Sequence, residues 1–173
     1  MQGAIRLFRG APISAKIGLL IVFVYACVAI FAPWIAPYSE TSIVGSSYEL
    51  WSDEFIFGTD NIGRDMLSRL IYGARNTIGI AFATVVLAFL IGGITGMLVA
   101  ILGGWSDLLI GRLVDILMAV PSLIFALLLL TIFGTSIPSL IVIIAVLDST
   151  RVFRIARSAA MNVVVMDFVE VAQ

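Results

Sequence analysis

The run 17–36, IGLLIVFVYACVAIFAPWIA, has no charged residue. As a helix it reaches about 30 Å, the thickness of a bilayer's hydrocarbon core. It therefore reads as a membrane span. A cleaved signal peptide is the alternative, but its apolar core is usually about 7–15 residues and leads into a small-x-small cleavage site. This run is longer and closes on Ala32-Pro33-Trp34-Ile35-Ala36-Pro37. Trp34 and Tyr38 are placed as interface anchors, and the prolines as the end of the helix. Arg6, Arg9 and Lys16 precede the run with no acid among residues 1–16, which puts the N-terminus inside the cell.

The rest of the 173 residues agrees with a membrane setting. Mean hydropathy is +1.15 and 12% of residues are charged, against about 25% in soluble domains. A net charge of −1 gives no basic field for nucleic acid. The chain has no histidine, which removes the commonest general base and metal ligand. Cys27 is the single cysteine, so no disulfide or cysteine zinc site forms within the chain, and Cys27 reads as packing.

Residues 38–75 are the one long polar segment, with six acids against Arg64, Arg69 and Arg75. At its centre lies FGTDNIGRD, 57–65. Its glycines and acids invite a phosphate-loop or calcium reading, but neither G-x-x-x-x-G-K-[ST] nor the EF-hand spacing is present. The expectation is a structural motif of Gly58, Thr59, Asp60, Gly63, Arg64 and Asp65. The glycines supply unusual backbone angles, and Thr59 or Asp60 caps a short helix. No catalytic, cofactor or metal set emerges, so the chain itself is not expected to be an enzyme.

A second span covers 76–102. Along it Thr84, Ala88, Gly92, Gly96, Ala100 and Gly104 recur every four residues, one narrow stripe of small side chains. Such a stripe lets helix backbones approach closely in lipid and predicts a helix-packing face. A third span, roughly 108–133, carries Arg112 and Asp115, spaced to pair on one face, and Pro121, expected to kink it. Residues 139–147 become a fourth span only if continued through DSTRVF, which brings Asp148 near the inner end. Arg151, Arg154 and Arg157 then form a basic stripe suited to the cytoplasmic side. The expected fold is an all-α membrane protein, a polytopic helical bundle of about four transmembrane helices. Four spans from an inside N-terminus place 38–75 outside and 150–173 inside. The sequence stops in a charged helical pattern, MDFVEVAQ, and is read as an N-terminal fragment.

Three stretches carry a family resemblance. FGTDNIGRDMLSRLIYGAR, 57–75, closely resembles the segment before the core domain in permease subunits of the dipeptide, oligopeptide and nickel ABC importers. GRLVDILMAVPSLIFALLL, 111–129, resembles the third span of that family, and DFVEVAQ, 167–173, the opening of its cytoplasmic EAA loop. The first span followed by FGTD resembles the C-type rather than the B-type subunit. Val171 departs from the first alanine of Glu-Ala-Ala, and Asp148-Ser149-Thr150-Arg151 departs from the tryptophan and Ala-Arg often found there.

The resemblance implies three segments: 1–37, cytoplasmic N-terminus and first transmembrane helix; 38–75, extracytoplasmic; 76–173, a permease core truncated in the EAA loop. It also implies partners: a B-type permease, two ATPase subunits that hydrolyse ATP, and an extracytoplasmic substrate-binding protein. Asp167, Phe168, Glu170 and Ala172 would be the ATPase-coupling residues. The implied location is a bacterial or archaeal inner membrane, multi-pass. A membrane scaffold without ATPase partners is the alternative. A secondary transporter is disfavoured, because Arg112, Asp115 and Asp148 lie near span ends rather than the midplane.

Overall fold

The computed structural model describes residues 12–164. They form five helices: α1 (Ile13–Ile35), α2 (Met66–Leu102), α3 (Gly104–Ala119), α4 (Ser122–Phe133) and α5 (Ile137–Val164). Among the described residues there are no strands, only two isolated antiparallel bridges, Ile43 with Arg64 and Thr59 with Asp65. α1 and α2 are each long and apolar enough to cross a membrane, and α3 with α4 makes a third span if the bent pair counts as one. The chain is thus all-α, with two or three spans by length and composition. α5 falls outside that count. Asp148, Arg151 and Arg154 interrupt its apolar start.

The chain divides into two compact units within α2, one ending at Gly79 and the other beginning at Ile80. In the first unit, α1 starts earlier than its apolar run and contains Pro33 in its last turn. The helix continues through Pro33 and stops at Ala36, whose ψ of 128° is extended. Ala36 precedes Pro37, and the ring of a following proline disfavours helical geometry. Large side chains such as Leu20, Phe23 and Ile30 are exposed along α1. An apolar surface of this kind suits hydrocarbon rather than water.

α2 also begins earlier than the second span was expected to. No proline interrupts 66–102, so residues 66–75 and the apolar run after Asn76 are one element. It ends where Gly103 and Gly104 take consecutive positive φ of 59° and 55°. Two successive residues in that region stop a right-handed helix, and glycine adopts it without a Cβ clash.

In the second unit the small-residue stripe meets α5. A Cβ on Gly92 would lie 2.3 Å from the Ser149 carbonyl oxygen, and one on Gly96 2.7 Å from that of Phe153. A step of four along α2 matches a step of four along α5, so the two helices run parallel. Thr84, Ala88 and Ala100 are buried on the same stripe. Thr84 donates its hydroxyl back to the Ile80 carbonyl at 2.8 Å, which satisfies a polar group inside an apolar helix. Gly104 does not continue the stripe. It follows the end of α2, and a Cβ there would meet nothing within 4 Å.

The expected kink at Pro121 is a break. α3 and α4 meet at 92° across Val120 and Pro121. Proline has no N–H to donate to the preceding turn, and it disfavours helical geometry at Val120, whose ψ is 133°. Val99 of α2, Val114 of α3 and Phe153 of α5 form a small buried cluster with Ile110 against it. The connection from α4 to α5 is three residues, Gly134 to Ser136. Ile137 and Pro138 already belong to α5, where an early proline is tolerated, and the Ser136 hydroxyl accepts the Ser139 N–H at 3.3 Å.

The close approach at Gly92 makes a sharp prediction. Gly92→Ala should destabilise the second unit by about 1–3 kcal/mol through overpacking. Gly93→Ala, whose Cβ would meet nothing within 4 Å, should be neutral or slightly stabilising. Unfolding of the two variants side by side in mixed micelles tests this, and equal midpoints would refute the packing account.

Candidate functional site

The polar centre of the first unit is Asp60, which is 7% exposed. Its Oδ1 accepts the backbone N–H of Ile62 at 2.9 Å and of Arg64 at 3.0 Å. Its Oδ2 accepts Arg64 Nε at 2.8 Å and Arg69 Nη1 at 2.5 Å. Four donors converge on one carboxylate. Burial works against ionisation, but the Arg64 and Ile62 N–H groups and the Arg64 guanidinium outweigh it. They hold Asp60 well below the ordinary carboxylate range. With both oxygens so occupied, the carboxylate is an anchor for the loop.

The surrounding residues fold 57–65 onto 43–49. Thr59 Oγ1 donates to the Ser46 carbonyl at 2.6 Å and accepts the Glu49 N–H at 2.8 Å. The Gly63 carbonyl accepts the N–H groups of Val44 and Gly45 at 2.8 and 3.0 Å. Gly58 (φ 70°) and Gly63 (φ 80°) sit where a Cβ would fall 2.2 Å from the Glu49 carbonyl oxygen and 2.0 Å from that of Gly45. Both the backbone angle and the close approach require glycine.

The cap expected from Thr59 or Asp60 comes instead from Asp65. Its Oδ2 accepts the Ser68 N–H at 2.8 Å and the Ser68 hydroxyl at 2.7 Å, at the first turn of α2. Thr59 and Asp60 are committed within the loop, whereas Asp65 directly precedes the helix. Ser68 Oγ also accepts the Tyr38 N–H at 3.0 Å, tying the exit of α1 to the start of α2. The sequence reading missed Ser68, Arg69, Ser46 and Glu49. The Asp-x-x-Ser spacing at 65–68 was the one available signal.

In the second unit, Asp107 of α3 and Arg157 of α5 form a two-pronged ion pair. Arg157 Nε and Nη2 each reach one carboxylate oxygen, Nη2 at 2.6 Å. The residues lie 50 apart in sequence. Among the described residues Arg112 and Asp115 form no ion pair, contrary to expectation. Both are exposed, and three-residue spacing alone does not hold two solvated side chains together. They line one cleft of about 350 Å³ with Asp107, Arg154 and Arg157. Asp148 and Arg151 approach to 3.8 Å and are both exposed. Asp167, Phe168, Glu170 and Ala172 lie outside the described residues.

Two tests follow from these geometries. The folded value of Asp60 is depressed, so its contribution is complete above the ordinary value of 3.8 and is lost as the pH falls below it toward the folded value. Acidification from about pH 5 to about pH 2 should open 43–65 to protease, and Asp60→Asn should flatten that dependence. Wild-type cleavage that stays constant across the range would refute the anchor. The side chains of Arg157 and Asp107 are 34% and 23% exposed, so a double-mutant cycle to alanine should return a coupling of about 1 kcal/mol. A coupling of zero would mean the pair holds nothing.

Comparison with known proteins places these elements in context. Residues 92–173 match the family model described as "Binding-protein-dependent transport system inner membrane component". Residues 2–49 match that of the "N-terminal TM domain of oligopeptide transport permease C". The chain is 35% identical over 163 residues to the dipeptide transport system permease protein DppC of Haemophilus influenzae, covering 90% of this chain and 55% of that protein. It is 35% identical over 159 residues to the di/tripeptide permease DppC of Pseudomonas aeruginosa, covering 88% and 52%. It is 34% identical over 161 residues to the oligopeptide permease OppC of Bacillus subtilis, covering 92% and 52%. The chain spans about half the length of these relatives.

Proposed function

The chain belongs to the family of inner membrane components of binding-protein-dependent transport systems, and on that premise we propose that it is a permease subunit of a peptide importer. The observation that carries the reading is the similarity to dipeptide and oligopeptide permeases across about nine-tenths of the chain. In this reading the subunit forms part of the translocation pathway beside a B-type permease. An external binding protein delivers the peptide, and two ATPase subunits supply ATP hydrolysis. Nickel is the other cargo the resemblance admits, and the relatives named above favour peptides.

The three segments have distinct jobs in this scheme. Residues 1–37 anchor the N-terminus inside and cross the membrane. Residues 38–75 form the external segment, held by the Asp60 and Asp65 networks. Residues 76–173 belong to the rocking core. Parallel α2 and α5 support this arrangement, because their C-terminal ends then point to the same side. That side is where Arg154 and Arg157 meet the positive-inside rule and where the segment from Asp167 would reach an ATPase. Alternating access requires substrate or nucleotide to bind the two arrangements with different affinity. Helix faces packed through glycine are suited to moving as rigid bodies.

Cells expressing the gene with its ATPases and binding protein should take up labelled dipeptide, and deletion of the gene should abolish that uptake. Uptake that survives deletion would overturn the transport reading. Glu170→Lys should weaken co-purification of the ATPase at least roughly tenfold while membrane insertion is retained. Unchanged co-purification would remove 167–173 as the coupling segment, and a chain that never recruits an ATPase would favour the scaffold alternative.

A further inference from the structure

The cleft between α3 and α5 holds more positive than negative charge, and its cations are unequally satisfied. Of its five charged residues, Arg157 is paired with Asp107. Arg112 and Arg154 have no carboxylate within 4 Å among the described residues. Arg154 Nη1 donates instead to the thioether Sδ of Met118 at 3.7 Å. Sulfur is a weak acceptor, so the guanidinium keeps most of its capacity for an anion. The Arg112 and Arg154 guanidinium groups, without a carboxylate partner among the described residues, stand on the facing elements of one cleft of about 350 Å³, which Asp115 also lines. Gly111 lines the same cleft, and a Cβ there would meet nothing within 4 Å, so the cleft has unfilled space beside the arginines.

The depth of the cleft narrows the ligand. α2, a membrane-spanning candidate, ends at Leu102, and Asp107 follows one turn into α3. The cleft therefore lies level with a helix end, where lipid headgroups sit. Leu108, which also lines it, is exposed. An arginine-lined recess at headgroup depth matches an anionic phospholipid, whose phosphate takes the forked guanidinium donors while its acyl chains stay in the surrounding lipid. We propose that the α3–α5 cleft is a binding site for the phosphate of an anionic phospholipid, held by Arg112 and Arg154 while the Asp107–Arg157 pair sets the spacing of the helices.

The complete chain in neutral detergent can be titrated with phosphatidylglycerol, phosphatidylcholine or inorganic phosphate, with bound lipid counted by native mass spectrometry. Phosphatidylglycerol should occupy one saturable site at least roughly tenfold more tightly than phosphatidylcholine. The paired change Arg112→Gln with Arg154→Gln should remove that preference. Gly111→Leu, which fills open space and leaves every charge in place, should also displace the lipid while helix content is unchanged. It decides the matter should the arginine variant fail to fold. Equal binding of the two lipids, or a preference retained by either folded variant, overturns the proposal. Displacement of phosphatidylglycerol by an equal concentration of inorganic phosphate overturns it as well, because the site would then belong to the free anion.

Discussion

The second unit depends on one contact: the bare backbone of Gly92 against the carbonyl of Ser149. In water, burial of apolar side chains would draw helices together. In a bilayer the lipid tails are as apolar as leucine, and that drive is absent. What remains is dispersion between closely approaching surfaces and the few polar groups that find one another. Gly92 and Gly96 allow the close approach, and Val99, Val114 and Phe153 complete the packing one turn further along. The parallel course of α2 and α5 follows from which glycine meets which carbonyl.

The first unit solves the opposite problem. Its segment 38–65 has few buried apolar side chains, Phe55 being the main one, and is organised by hydrogen bonds. Asp60 gathers four donors, Thr59 bridges Ser46 and Glu49, and two glycines allow backbone strands to pass at distances no side chain would permit. Asp65 passes this order to α2 through Ser68, which also receives Tyr38. The polar loop is thereby fixed to the first turn of α2.

Much of this was legible in the order of residues. The uncharged run fixes α1, the four-residue spacing of small residues names the packing face, and Pro121 marks a discontinuity. Each is a local property, governed by helix period, by the absence of charge or by a missing N–H. Boundaries were less legible. α2 begins ten residues before Asn76 because nothing in 66–75 opposes a helix, and α1 runs through Pro33 because a proline near a C-terminal turn removes only one hydrogen bond.

The sequence by itself determined that this is an all-helical membrane chain, where its polar segment lies, and which residue types face other helices. The tertiary structure decided the partners. Arg112 and Asp115, three apart, stay separate, while Asp107 and Arg157, fifty apart, join. The reason is physical: sequence spacing limits which side chains are near along one helix, but a bidentate ion pair needs two backbones held at a fixed distance. That distance is set where α3 packs on α5, through contacts no single stretch of sequence contains.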